Sequence, residues 1–164
     1  GVGAVTFDIV GYDAEKLAKD KQHSITLWMR NLIFDRMEFS TEGSNKWEES
    51  DVRKYLNREG FINSFETGFR ELICPVYKDN GERIDTVDRF FLLSKEELEG
   101  GYEYINTEAD RIKVDEYGET DDHWTRSAYP GSDCSTWYVT DNGAFSTRRA
   151  SWTYRFFPVC VIAR

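Results

Sequence analysis

Two imidazoles, three thiols and one run of carboxylates are the side chains that chemistry would have to use in this chain. Cys74, Cys134 and Cys160 are odd in number and widely spaced. No pair has the Cys-x-x-Cys spacing of a metal or redox centre, and no disulfide framework is implied. Cys160 lies in the apolar run Phe156 to Ala163 and is expected to pack as a small hydrophobe. His23 falls in a predicted strand with no cysteine or acidic motif beside it. His123 follows Asp121-Asp122, where a surface position is expected in preference to a metal contact. A Ser/His/Asp or Cys/His nucleophile needs a base and an orienting acid, and no local signature such as a nucleophile elbow is present. The carboxylates Asp115, Glu116, Glu119, Asp121 and Asp122 lack the alternating ligands and glycine hinge of a calcium loop, so they read as a solvated loop. No metal, cofactor or catalytic residue is therefore expected.

The composition favours recognition instead. From Trp124 to Arg164 there is no Lys, Glu, Gln or Met, although the preceding residues carry all 8 Lys, 16 Glu, 1 Gln and 2 Met. What remains is rich in Tyr, Trp, Phe, Ser, Thr, Gly, Asp and Arg, which combine rigid aromatic contact area with short hydrogen-bonding groups. Candidate contacts are Ala128, Tyr129, Ser132, Asp133, Ser135, Thr136 and Tyr138, then Ser146, Arg148, Arg149, Ser151 and Tyr154. Tyr129, Tyr138, Trp152 and Tyr154 show no clean period, which favours exposure. The alternative is an ordinary polar β-rich tail with some buried aromatics, because strands rich in Ser and Thr also avoid Lys and Glu by propensity. Arg148 and Arg149 serve either as ligand anchors or as solubilising charges.

The net charge of −9 excludes a broad phosphate-neutralising surface, so nucleic acid is not an expected partner. That charge is concentrated from Glu96 to Asp122, whereas the tail is mildly basic. At 164 residues the chain is one domain, with enough length for a proper core. No apolar run approaches a bilayer span, so membrane insertion is not expected, and Gly1-Val2-Gly3 carries no signal-peptide pattern. Such a start is compatible with the C-terminal part of a longer natural chain.

The elements that must position these residues can be read from pattern. Val5 to Val10 predicts a strand, Asp13 to Lys21 a helical turn or short helix, and His23 to Arg30 an alternating strand. Met37 to Trp47 reads as loop. Ser50 can cap a helix through Arg58 with Val52, Tyr55 and Leu56 on one stripe. A second helix spans about Ser64 to Leu72, with Phe65, Phe69, Leu72 and Ile73 at helical spacing and Pro75 beyond its end. Arg89 to Leu93 is a buried strand, after which Ser94 and Glu97 form a capping box and Gly100-Gly101 ends the turn. Asp141-Asn142-Gly143 joins the strands Thr136 to Thr140 and Ala144 to Thr147 as a hairpin. Trp152 to Ala163 is a final strand, bent or at an edge where Pro158 lacks a donor. Helices in the first half and strands at both ends give an α+β class.

Read in order, several segments resemble an uncharacterised bacterial and phage domain family with C-type-lectin-like character. They are Val5-Thr6-Phe7, Trp47-Glu48-Glu49-Ser50-Asp51-Val52-Arg53-Lys54-Tyr55-Leu56-Asn57, Asp88-Arg89-Phe90-Phe91-Leu92-Leu93-Ser94-Lys95-Glu96-Glu97, Trp124-Thr125-Arg126-Ser127, and the closing Phe156 to Ile162. One departure is that the family's closing Gly-Val-Arg-Pro keeps only its proline here, with Phe157 in the arginine's place. The resemblance implies a C-type-lectin-like fold with paired N- and C-terminal strands, two main helices and long loops. Within its Trp-x-Arg-Ser motif, Arg126 is expected to anchor the fold by pairing with the acidic segment. The chain is also similar to the variable proteins of diversity-generating retroelements. There, adenine-directed mutagenesis scatters asparagine codons into many types but never into Lys, Glu, Gln, Met or Trp. The variable region would then be residues 124–155, with Trp124, Trp137 and Trp152 as fixed scaffold. The function implied by the resemblance is that of a ligand-binding display domain on a cell surface or phage particle, its partner a surface protein or glycan of another cell. Two alternatives stand beside it. One is an oxidase of the formylglycine-generating type, which shares the fold and would work through Cys134 or Cys160. The other is a structural decoration of a phage or surface assembly.

Overall fold

The computed structural model describes residues 4–30 and 35–164; the opening Gly1-Val2-Gly3 lies outside them. Strands β1 (Phe7–Tyr12), β2 (Lys16–Leu17), β3 (Ser24–Met29) and β4 (Met37–Glu38) come first. Helices α1 (Asp51–Asn57), α2 (Glu59–Ile62) and α3 (Thr67–Leu72) come after them. Next are β5 (Val76–Lys78), β6 (Thr86–Asp88), β7 (Phe90–Phe91), β8 (Lys113–Val114) and β9 (Thr120–Asp121). The chain closes with β10 (His123–Ala128), β11 (Ser135–Val139), β12 (Phe145–Arg149), β13 (Thr153–Tyr154) and β14 (Val159–Ala163). The class is thus mixed α+β with few helices and small antiparallel sheets: β1-β3-β14-β7, β10-β11-β12, β2-β5-β6, β13-β4 and β8-β9.

The main sheet corrects one expectation and decides between two readings of another. N- and C-terminal strands do not pair directly, because β1 and β3 form their own antiparallel ladder, Phe7↔Met29 to Tyr12↔Ile25, and β14 pairs with the far side of β3. The final strand is bent and not at an edge: it breaks into β13, which pairs with β4, and β14, which β3 and β7 flank. Its proline is tolerated because Pro158 precedes the first ladder residue, and its carbonyl accepts the Met29 N–H at 3.0 Å. Around Asp13 a further expectation fails. Asp13 takes a left-handed φ of 50° and its carboxylate accepts the Ser24 N–H at 2.7 Å, so the chain turns here and enters no helix. Glu15 is then drawn to Lys78 (2.8 Å), and β2 pairs with β5; a buried ion pair and a ladder override local helix preference.

The motifs that carry the family resemblance prove to be scaffold. The Ser50 hydroxyl caps α1 by accepting the Arg53 N–H at 3.1 Å, and Val52 and Leu56 are fully buried. Buried Asp88 ties the segment down. It accepts from Trp47 Nε1 at 2.9 Å, Arg53 Nε at 2.6 Å and Thr86 Oγ1 at 2.7 Å. Asn57 clamps the start of β7, with Nδ2 donating to the Phe90 carbonyl (2.8 Å) and Oδ1 accepting the Arg89 N–H (2.9 Å). Both reciprocal bonds of the capping box form, Ser94 N to Glu97 Oε1 at 2.9 Å and Glu97 N to Ser94 Oγ at 3.0 Å. The second expected helix is shorter, starting at Thr67, and Leu72 at its end is exposed. The apolar core joins the main sheet, α1 and β10 through Trp28, Phe39, Trp47, Phe90, Phe91, Trp124 and Phe156.

Candidate ligand-binding face

The three-stranded sheet carries the tail. Its hairpin turns through Asp141-Asn142-Gly143, where Thr140 N donates to the Ala144 carbonyl at 2.8 Å and Gly143 N to the Thr140 carbonyl at 2.9 Å. Gly143 has φ +87°, and a Cβ there would lie 2.2 Å from the Glu108 carbonyl oxygen. Arg111 Nε donates to the Gly143 carbonyl at 2.9 Å, so the tip is held against the acidic segment.

Alternation then sorts the contacts predicted from sequence. The register pairs Ser135↔Arg149, Thr136↔Arg148, Trp137↔Thr147 and Tyr138↔Ser146. Ser135, Trp137, Thr147 and Arg149 share one face. Tyr129 is 42% exposed and meets Trp137 edge-on, ring centroids 5.3 Å apart. Lys95 Nζ lies 5.0 Å from the rings of both Trp137 and Phe145, and the Arg111 guanidinium 4.5 Å from Phe145. This face is an aromatic and hydroxyl platform with cations at its margin.

The opposite face is core, which corrects three expected contacts. Thr136, Tyr138 and Tyr154 are buried. Tyr138 stacks on Tyr154 at 4.3 Å, and Tyr154 meets Trp124 edge-on at 4.8 Å. The cause is the period-two pleat, which sets Thr136 and Tyr138 on the side of Trp124. Burial and the Tyr138 hydroxyl push the Tyr154 phenol up to about 12, against the pull of Arg148. Arg148 Nε donates to the Tyr154 hydroxyl at 3.2 Å, and its guanidinium sits 5.2 Å from the ring of Trp152. Trp152, whose aperiodic setting favours exposure, is 53% exposed; Ser151 beside it is exposed and Ser146 half-buried.

The loop bearing Ser132 and Asp133 is closed by Tyr129 N donating to the Ser135 carbonyl at 2.9 Å. Ser132 Oγ accepts the N–H groups of Cys134 (3.2 Å) and Ser135 (3.1 Å). Sequence reading missed what braces it. Buried Asn45 donates to the Ser132 and Ser135 carbonyls at 2.8 Å each, and Arg83 donates to the Ser132 carbonyl at 2.9 Å and to Asn45 Oδ1 at 2.7 Å. Asp133 projects exposed from this braced loop, and half-buried Ala128 precedes it. The only sequence trace of the brace is a polar Asn45 in a Ser/Gly-rich stretch, which also reads as an ordinary turn.

Beneath β10 lies a balanced charge cluster. Lys78 Nζ donates to Glu15 at 2.8 Å and Glu97 at 2.6 Å; Tyr102 donates to Glu15 and Glu97; Arg126 pairs with Glu97 and donates to the Leu92 and Asp79 carbonyls. Arg126 thus anchors the fold on the acidic segment, as expected. Burial alone would raise the Glu97 carboxyl, but Arg126 and Lys78 overrule it and hold it at about 2.

The remaining candidates for chemistry fall elsewhere. His123 is buried, correcting its expected surface position. Its ring packs on Trp28 and Phe157, and Nε2 bonds the Arg111 carbonyl at 2.9 Å, with burial depressing it to about 4. His23 is exposed beside Asp13. Cys160 is wholly buried in β14, where burial pushes its thiol far up; Cys134 is exposed at the mouth of the braced loop, so the two thiols sit in unlike settings. Among the described residues no three His, Cys, Asp or Glu side chains gather where they could hold a metal ion. No helix among them is long and apolar enough to cross a membrane.

No curated protein and no solved structure matches the chain. A family model does, across residues 23–163, from β3 through β14. The chain therefore belongs to the family described as a domain of unknown function, DUF6273.

Proposed function

We propose that this is a non-catalytic ligand-binding display domain whose contact surface is the outward face of the β10-β11-β12 sheet with its braced loop. The observation carrying this reading is the division of the tail. Tyr129, Ser135, Trp137, Thr147 and Arg149 form an accessible platform, while Thr136, Tyr138 and Tyr154 fix it to the core from behind. A preorganised loop lowers the ordering cost of binding, and Asn45 and Arg83 supply that order at Ser132 to Ser135. The ligand class is a surface protein or glycan. The finer reading, a C-type-lectin-like variable protein diversified by a retroelement, rests on the tail's missing residue types and on the motif resemblance.

The test is binding to arrayed glycans and displayed surface proteins by the native domain and by a Tyr129→Ser/Ser135→Ala/Arg149→Ser variant. Loss of the ligand with unfolding unchanged supports the face; a variant that binds as well as the native domain removes it. Deep sequencing of this gene across its source population tests diversification. Adenine-derived substitutions at Tyr129, Ser132, Asp133, Ser135, Arg148, Arg149 and Ser151 that spare Tyr138 and Tyr154 are expected. Sparse, uniform variation would remove the retroelement reading.

A further inference from the structure

The hairpin bonds at the two ends of β12 fix which way its backbone points. Thr140 N donates to the Ala144 carbonyl at 2.8 Å, and Ala150 N to the Cys134 carbonyl at 2.8 Å. Since hydrogen-bonded pairs alternate along an antiparallel ladder, Ser146 and Arg148 bond inward to β11. Phe145, Thr147 and Arg149 must then turn their N–H groups away from it. Strand β11 is the sole strand partner of β12 among the described residues. Of these outward groups only the Arg149 carbonyl has a partner among the described residues, the Trp152 N–H at 2.9 Å.

The other edges among the described residues are bulged or short. β1 is interrupted by a bulge between Ile9 and Gly11 and β10 by one between Trp124 and Ala128, while β2, β4, β6, β7, β8, β9 and β13 run only two or three residues. β12 runs five residues in unbroken register with no bulge, proline or lysine. Its charges are Arg148 and Arg149, both exposed and neither paired with a carboxylate among the described residues, in a chain whose net charge is −9.

We infer that the edge of β12 is a β-augmentation site for an extended, acidic peptide segment of a partner protein. The partner's main chain bonds Phe145, Thr147 and Arg149, and its carboxylates meet Arg148 and Arg149. This rests on the reading of the tail as a binding surface but uses its edge, not its aromatic face. A second copy of the chain is the poorer occupant, because self-pairing would gather four arginines at one seam.

The experiment titrates the domain with blocked hexapeptides that carry adjacent Glu or Asp residues flanked by Val or Thr, so that carboxylates stand on both faces of the added strand, and with Lys-for-Glu controls. Affinity and amide hydrogen exchange are read together. Acidic peptides are expected to slow exchange at Phe145, Thr147 and Arg149, with Lys controls at least ten-fold weaker. Thr147→Pro removes an outward donor while sparing the bonds to β11, so it should abolish binding; Arg149→Glu, which leaves every backbone group in place, should weaken acidic peptides ten-fold and favour the Lys controls. Unchanged binding in both variants, no protection at millimolar peptide, or protection arising from a concentration-dependent dimer without peptide would each overturn the inference. Loss of glycan or protein ligand on changing Tyr129 and Ser135, alongside a failed peptide titration, would remove this inference and leave the face intact.

Discussion

Replacing Glu97 by glutamine keeps the side chain's shape and deletes the one charge that Arg126 and Lys78 both face. In the native protein this carboxyl titrates at about 2, against 4.5 for an ordinary glutamate. At 1.36 kcal/mol per unit, that difference corresponds to roughly 3 kcal/mol of stability. Removing one member of a buried ion cluster independently costs about 3–5 kcal/mol, because the partners are left desolvated. The sign is set by the depressed value. The contribution is complete above the unfolded glutamate's pKa and is lost as pH falls from about 4.5 through about 2. Urea unfolding followed by tryptophan fluorescence should show Glu97→Gln weaker by roughly 3 kcal/mol at pH 7, with the gap closing across that acid window. In a domain of this size the same loss lowers the melting temperature by roughly 6–12 °C. A loss below about 1 kcal/mol at pH 7, or parallel acid profiles for both proteins, would refute the assignment of Glu97 as the cluster's keystone.

Three further outcomes can be checked on the same samples. Tyr138→Ala and Tyr154→Ala should each cost about 3–5 kcal/mol in thermal unfolding, whereas Tyr129→Ala and Trp152→Ala should cost well under about 1 kcal/mol; comparable values for the two pairs would contradict the division of the tail. His123, held near 4 by burial, binds a proton more readily unfolded, so native stability falls as pH drops from about 6.5 to 4; His123→Gln should flatten that part of the profile, and an unaltered slope would show another group titrating there. Gly143→Ala combines a left-handed backbone with a clash on the Glu108 carbonyl, so a loss above about 1 kcal/mol and faster exchange of the hairpin tip are expected, and a neutral result would mean the tip is not clamped.

Local signals were the legible part of this fold. Ser50, the Ser94/Glu97 box and Asp141-Asn142-Gly143 act through bonds spanning a few residues, and all three form where their spacing places them. Cys160 was legible because it lies in a continuous apolar run. Long-range partners were not. Nothing beside Glu15 announces Lys78, sixty-three positions away, and that pair removes the helix expected from Asp13 to Lys21. His123 sits next to two carboxylates in sequence yet is sealed between Trp28 and Phe157, both brought from other elements. In the tail, residue types suggested recognition, but only the register of β11 against β12 separated Trp137 from Tyr138.

The central place of β14 has a consequence for how the domain is made. The last strand of the domain is the one that joins β3 to β7, so no native main sheet exists until residues Val159–Ala163 are available. A nascent chain can form the β1–β3 hairpin and α1 early, but the far side of β3 stays an open, apolar template until synthesis has passed through the whole tail. Any substitution in the surface hairpin is therefore translated before the main sheet closes. Its cost falls on folding yield, while the far side of β3 is still uncovered, as well as on the stability of the finished domain.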